Sequence, residues 1–518
     1  MSDTPASGLT RGAPWLAAAI VLAIGLAIVD RLPVGVVHDD GLYVILAKSL
    51  ATGHGLRWLQ VPGHPPATHF PPGYPFLLSL LWRVDSAFPA NVVLFKVANA
   101  IFLALAAAGT ALFAERRFNF DRRAAAVIAV IACIGIPTLA LSTLVMSEPL
   151  FLALLFPTLL LAERVAERES PGVEVVMLAL LAVAATFVRT HGIAIIGAVI
   201  IALALRARWR DLALFAVVSI ALLAPWQLWA RAHQGIVPLA MRGNYESYGE
   251  WFVTGLRSDG PGLIVRTIPR TSAEIAGMLA TLSAPSMLVA VRIIALASLA
   301  VLLLSGLRIA VRRARVSALF TVGYLAIVIV WPFGPARFVW AIWPLVFLIL
   351  VVGARAVVGW RPSHAPWQAA RVTALAGTIL VAAGYSVYTV HGYRGHWWSS
   401  VARQQTVMLA PLVAWTRTHT RPGDVIASSA EPVVYLYGGR EAVSASQFTV
   451  DDYFRPATVA ERESALRDIL GAYHVSAVAV VASDSLLTAA RDMATEPAPE
   501  LALRDTIANG AVFTPVHR

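Results

Sequence analysis

A polytopic α-helical membrane protein with a small α/β domain outside the bilayer is the fold class this sequence predicts. Three observations predict it. Of 518 residues, 58% are hydrophobic and 14% charged, with a mean hydropathy of +0.70, far outside the range of soluble globular chains. Apolar runs recur over the first 390 residues, at the length a helix rising about 1.5 Å per residue needs to cross about 30 Å of hydrocarbon. Past residue 391 the composition turns polar, and helical and strand-like patterns alternate over short distances. The chain is accordingly read as a membrane domain, 1–390, followed by a soluble α/β domain, 391–518.

About eleven segments qualify as spans. They are 14–32, 90–114, 124–141, 149–162, 174–188, 192–205, 211–229, 286–306, 316–332, 337–353 and 372–390. The stretch before the first is short and polar and carries only Arg11. The apolar run next to it is too long for a signal-peptide core, so the first helix is expected to be retained. The apolar segment Tyr74 to Val84 is too short to span and is expected to lie in the interface. In the soluble part a helix is expected around Met408 to Thr420 and another over Ala460 to Tyr473, with strands after Gly423 and over Ser476 to Val481. No internal repeat stands out.

Orientation is set by the loops. Those after even-numbered spans hold Arg116, Arg117, Arg122 and Arg123, then Arg164 and Arg168, Arg206 to Arg210, Arg308 to Arg315, and Arg355 to Arg371. Short loops after odd-numbered spans are nearly free of Lys and Arg, Arg189 excepted. The positive-inside rule then places the N-terminus in the cytoplasm and both the loop His38 to Pro75 and the C-terminal domain outside a cytoplasmic, inner membrane. These loop arginines account for most of the net charge of +11, so no nucleic-acid partner is expected. The single cysteine, Cys133, excludes structural disulfides and a zinc-thiolate cluster.

The loop His38 to Pro75 holds Asp39 and Asp40 side by side, with His54, His64 and His69 and several prolines. Carboxylates so close to a bilayer are costly unless they act. Glu148 in Ser147-Glu-Pro, Arg189-Thr-His191 and Arg337 fall at the same predicted face, each at the end of an apolar segment. The second long outer loop, Ala230 to Pro285, holds Arg242-Gly-Asn-Tyr245-Glu-Ser-Tyr and Trp251, polar and aromatic enough to line a groove. Carboxylates and arginines at one membrane edge suit a reaction between an anionic lipid-linked substrate and a hydroxyl. Arginine binds phosphate by charge-assisted hydrogen bonds, and a carboxylate removes a hydroxyl proton as a bond forms. The plainer alternatives are a polar cap for the aspartates, an acid favoured by the helix dipole for Glu148, and arginines snorkelling to headgroups. A transporter or flippase would also place charges among spans, but nearer the midplane and with repeat symmetry.

Asp39-Asp-Gly-Leu-Tyr43, Ala47-x-x-Leu50, Gly53-His-Gly and Phe70-Pro-Pro-Gly-Tyr-Pro, followed by Ser147-Glu-Pro-Leu-Phe, Arg189-Thr-His-Gly, Pro225-Trp226 and Arg337-Phe, resemble the GT-C membrane glycosyltransferases. The resemblance is to the branch of protein O-mannosyltransferases and lipid A aminoarabinose transferases. It implies a GT-C-like fold and a polyprenyl-phosphate sugar donor used on the extracytoplasmic face, usually with inversion, toward a hydroxyl acceptor on lipid, glycan or protein. It further implies Asp39 as the catalytic acidic residue, Asp40 beside it where many members have Glu, and Glu148, Arg189 and Arg337 around donor phosphate and acceptor. Tyr43, His69, His191 and Tyr245 complete the candidate substrate-binding set. A glycan polymerase or ligase shares the donor lipid and stays open as an alternative, as does a divalent cation, Mg or Mn, as cofactor.

Overall fold

The computed structural model describes residues 12–168, 172–237, 241–285, 287–481 and 485–516. The polar N-terminal stretch up to Arg11, residues 238–240 of the second outer loop and Ser286 at the start of the eighth predicted span lie outside them.

The first apolar run forms α1 (Ala13–Ile28), and the outer loop after it is itself ordered by α2 (Asp39–Ala51) and α3 (Gly73–Val84). Asp39 and Asp40 occupy the first turn of α2, where the helix dipole favours negative charge. α4 (Val92–Phe118) ends on Asn119 in the left-handed region, a residue type that tolerates it as a helix terminator. The next predicted span is a broken pair, α5 (Arg122–Cys133) and α6 (Ile136–Thr143), bent by 60°. Asp121 caps α5 by accepting from the amides of Arg123 and Ala124, and Gly135 with Pro137 makes the break. This division was not legible, because α5 and α6 are apolar on both sides of the break.

The chain continues through α7 (Glu148–Glu167), α8 (Gly172–Val188), α9 (Ile193–Ala204) and α10 (Trp209–Ala232). The second outer loop then folds into α11 (Tyr248–Asp259) and α12 (Gly262–Ser283). This segment lines a groove as expected, Arg242, Ser247 and Tyr248 edging a cavity of about 730 Å³, but from Tyr248 on it is helical rather than loop. The amphipathic pattern of these two helices is built around polar residues such as Arg266, Arg270 and Glu274, and a hydropathy scan for spans does not register it. α13 (Val289–Arg313), α14 (Arg315–Val330), the short α15 (Ala336–Trp340), α16 (Trp343–Gly359) and α17 (Ala365–Arg394) complete the membrane part. Among the described residues, five helices are long and apolar enough to cross a membrane, or six with the bent pair as one, and five more apolar helices are shorter. Each predicted span falls on one of these.

Arginines of the loops after even-numbered spans gather at one end of the bundle and bond to one another's helix ends. The Arg117 Nε donates to the Arg313 carbonyl at 2.9 Å, and Arg206 to the Ala166 carbonyl at 2.7 Å. The C-terminal domain sits at the other end. α18 (Trp397–His419) leads into a five-stranded sheet of β1 (Val425–Ser428), β2 (Glu441–Ser444), β3 (Val475–Val481), β4 (Leu501–Ile507) and β5 (Gly510–Pro515), in the order β2-β1-β3-β5-β4. β1 runs parallel to β2 and β3, while β5 is antiparallel to β3 and β4. Leu409, Leu412 and Trp415 of α18 pack one face against Ile426, Ala477 and Ala479. The other face is covered by α19 (Val459–Ala472) and α20 (Ser485–Thr495) through Leu466, Ile469, Ala490 and Met493. This apolar double cover explains the continuous hydrophobic run of β3. The sheet docks on the first outer loop, where the Ala442 amide donates to the Gln60 carbonyl at 2.7 Å, the Val34 amide to the Tyr437 hydroxyl at 2.9 Å, and Lys48 Nζ to the Tyr435 hydroxyl at 3.2 Å.

Candidate active site

Four helix ends meet where the first outer loop and the C-terminal domain join. α2 begins with Asp39 and carries Tyr43 one turn on; α7 begins with Glu148 just after Ser147. Arg189 comes directly after the last residue of α8, and Arg337 stands in α15. Arg337 is the hub. Its Nη1 donates to Asp39 Oδ2 and its Nε to Glu148 Oε1, each at 2.5 Å. Arg189 Nη1 lies 2.7 Å from the same Glu148 oxygen and donates to Ser147 Oγ at 3.1 Å, and the Tyr43 hydroxyl is 3.3 Å from that Oγ.

Glu148 is fully buried and Arg189 nearly so. Burying such charges costs several kcal/mol per ion, and apolar residues of equal volume would often be as stable or more so. Stability is therefore a poor reason for this cluster. It is also incomplete. Among the described residues the buried Glu148 Oε2, Arg189 Nε, His191 Nε2 and Trp331 indole nitrogen have no hydrogen-bond partner. Folded proteins pair nearly all such groups. Arg189, His191 and Trp331, with Arg337, Tyr43 and Tyr248, line a cavity of about 40 Å³. It shares Pro71, Thr190 and Tyr248 with a neighbouring cavity of about 730 Å³ that reaches Trp226, Arg231 and Arg257.

The local fields differ between the two adjacent aspartates. Burial disfavours the charge of Asp39, but the Arg337 guanidinium and His38 outweigh it and hold the carboxyl well below the usual carboxylate range. Asp40 is 1% exposed and accepts from the Val37 amide at 3.2 Å; burial pushes its carboxyl up to about 6 although backbone amides oppose that. Its carboxylate is spent on the loop before α2.

Of the predicted residues, Tyr43, Arg189, His191 and Arg337 line this cavity, and Asp39 and Glu148 are joined to it through Arg337. The His191 ring lies 4.7 Å from that of Phe338, tilted by 31°. His69 lines the larger cavity, its Nδ1 2.6 Å from the Glu246 carbonyl and its ring 4.2 Å from that of Tyr248; burial lowers it to about 4, so it is neutral at ordinary pH. Tyr245 lies apart from the arginines and donates to Glu431 Oε1 at 2.7 Å. Ser147 and Trp331 were not assigned from sequence, and Tyr248 was named only as part of a groove-lining stretch. Ser147 adjoins a singled-out glutamate, whereas Tyr248 and Trp331 reach the cavity only through the folding of the second outer loop and the turn after α14.

A divalent cation does not fit this cluster. Asp39 and Glu148 are each bonded to arginine, so a cation there would face two guanidinium groups. Among the described residues no three His, Cys, Asp or Glu side chains gather as a metal-binding group.

No known protein-family model matches this chain, and no curated protein matches it in sequence. Its similarities are in three dimensions. ArnT from Cupriavidus metallidurans bound to undecaprenyl phosphate aligns with a TM-score of 0.53 at 14% identity, over 97% of this chain and 98% of that one. The archaeal oligosaccharyltransferase AglB from Archaeoglobus fulgidus, in complex with an inhibitory peptide and a dolichol-phosphate, aligns with a TM-score of 0.53 at 13% identity, over 92% and 70%. The Archaeoglobus fulgidus oligosaccharyltransferase in complex with Zn and sulfate aligns at 0.50 and 14% identity, over 90% and 68%. The chain shares its fold with ArnT and with the archaeal oligosaccharyltransferase.

Proposed function

We propose that this GT-C-fold protein transfers a sugar from a polyprenyl-phosphate donor to a hydroxyl acceptor at the extracytoplasmic face of the cytoplasmic membrane. The observation that carries the reading is Arg337, shared between Asp39 and Glu148 beside a cavity edged by unpartnered polar atoms. Arg337, Arg189 and the Trp331 indole N–H are donors of the kind that binds a phosphate and stabilises the charge it gains on leaving. The structural neighbours bound to undecaprenyl phosphate and dolichol-phosphate support such a donor.

In the reaction the acceptor oxygen attacks the anomeric carbon, the bond from that carbon to the phosphate oxygen breaks, and polyprenyl phosphate departs against the arginines. The hydroxyl proton passes to Asp39. While Arg337 holds Asp39, that carboxylate is a weak base; a donor phosphate competing for Arg337 frees it, which ties proton removal to donor binding. Glu148 is engaged by both arginines and is in no position to act as a nucleophile. One base and no nucleophile mean single displacement with inversion. The N-terminus is cytoplasmic, the arginine-rich end of the bundle faces the cytoplasm, and the domain after residue 390 covers the site from outside.

Purified protein in detergent, given a panel of radiolabelled polyprenyl-phosphate sugars and a membrane extract as acceptor, tests this. Wild type is expected to move label into a new product, and Asp39→Asn to lose about 10²- to 10⁴-fold in rate, the share of a positioned general base. No transfer and no donor binding by folded protein would turn the reading toward a transporter.

A further inference from the structure

His38, immediately before Asp39, is held in a strained backbone. Its φ is +69° and ψ −73°, and the Asp39 amide donates to the Val37 carbonyl at 3.0 Å, which is the rare γ-turn with a positive φ at its centre. A non-glycine residue stays in such a conformation only where its surroundings over-determine it. Here they do. His38 Nε2 is 2.9 Å from Glu431 Oε1, and His38 Nδ1 is 3.6 Å from Asp39 Oδ1. Glu431 belongs to the C-terminal domain, in the short turn after β1, and is 1% exposed. The Tyr245 hydroxyl donates to the same Glu431 oxygen at 2.7 Å.

The segment carrying Glu431 reaches this depth through two glycines. A Cβ on Gly41 would stand 2.8 Å from Pro432 Cβ and 2.5 Å from the Gly35 Cα, and a Cβ on Gly35 would stand 3.2 Å from Val433. The loop before α2 is thus shaped to admit residues 431–433. A buried carboxylate needs a reason, and its partners are a histidine and a tyrosine rather than an arginine.

We infer that Glu431 is a positioning residue for the transfer reaction, supplied by the C-terminal domain, which acts through His38 to hold and charge-balance Asp39. This rests on the proposed role of Asp39. Burial alone would lower the His38 pKa, but Glu431 and Asp39 together raise it to about 10. His38 is therefore an imidazolium at neutral pH, donating to Glu431 and lying 3.6 Å from the Asp39 carboxylate. The charged and titratable groups facing it are Glu431 and Asp39, with Arg337 beyond Asp39, Tyr245 beyond Glu431, and His69 nearby. The C-terminal domain is on this view part of the reaction centre, since α2 by itself does not hold His38.

Glu431→Gln, which keeps the shape and removes the charge, tests the inference with two readouts. The first is the pH dependence of transfer: kcat is expected to fall about 10- to 100-fold, the scale of losing an orienting partner behind a reacting group, with the KM for donor within twofold of wild type and a new limb in the pH profile. The second needs no activity. The His38 imidazole resonance, assigned by its loss in His38→Gln, is expected to show no titration between about pH 6 and 9 in wild type and to titrate inside that range in Glu431→Gln. Glu431→Asp, which retains the charge, is expected to recover kcat toward wild type and to keep His38 protonated, and it decides the matter should the Gln protein fail to fold. An unchanged pH profile and unchanged His38 titration, whatever the loss of thermal stability, would overturn the inference. Should wild type transfer no sugar at all, the proposed function falls, and the His38 titration still decides whether Glu431 governs that residue.

Discussion

Arginine meets carboxylate at both ends of this molecule, and the two ends are built differently. At the arginine-rich end, Arg117 bonds Glu167 and the Arg313 carbonyl and lies 4.0 Å from Glu163, whose Oε1 accepts in turn from the Ser317 amide and hydroxyl. Arg206 and Arg355 close on the carbonyls of Ala166 and Phe118. There the cations finish helix C-termini, whose last carbonyls have no partner within the helix. At the other end Arg189 and Arg337 close on two carboxylates from two further helices, and Arg189, Glu148 and His191 keep unpartnered polar atoms, those of Arg189 and His191 at a cavity. Residue type alone does not separate the two ends; at the second, Glu148 and Arg189 are buried, and Arg189 and His191 carry unpartnered atoms at a cavity.

The sharpest way to test that contrast is Arg337→Lys. Lysine keeps the charge but cannot place two N–H groups on Asp39 and Glu148 together, so kcat in the transfer assay is expected to fall about 10²- to 10³-fold, as when a preorganised donor to a leaving charge is lost. Activity within a few fold of wild type would equate the two ends. Arg117→Gln should do the opposite: a loss of about 1–3 kcal/mol of stability, from helix carbonyls and a buried Glu163 left short of partners, seen as a lower thermal midpoint with unchanged kcat. The smallest effect concerns metal. With both site carboxylates on arginines, treatment with EDTA is expected to leave the transfer rate unchanged, and loss of activity restored by Mg or Mn would show that the guanidiniums give way to a cation.

Much of this molecule was legible in its sequence because the bilayer imposes a one-dimensional code. A segment that must satisfy its backbone in hydrocarbon forms a helix, so apolar length located the spans, and Asp39, Glu148, Arg189 and Arg337 stood out as charges at their ends. Where a helix is amphipathic and rich in charge that code fails, and α11 and α12 were read as loop. The central strand β3 was legible from its unbroken apolar run, whereas the edge strands β2, only four residues long, and β4, mostly exposed, were not.

Hydropathy and charge, which are properties of each segment alone, determined by themselves that this is a membrane protein and placed the candidate site residues at one face. Which carboxylate faces the arginine cluster was decided only by tertiary structure. Asp39 and Asp40 are neighbours of identical type, yet helical geometry turns them about 100° apart, so one meets Arg337 and the other the backbone of its own loop. The partners that set their different chemistry, Arg337 and through His38 the distant Glu431, lie about three hundred to four hundred residues away in the chain. Contacts of that range exist only once the bundle has closed and the C-terminal sheet has docked, because an electrostatic environment belongs to a place in the fold and not to a position in the sequence.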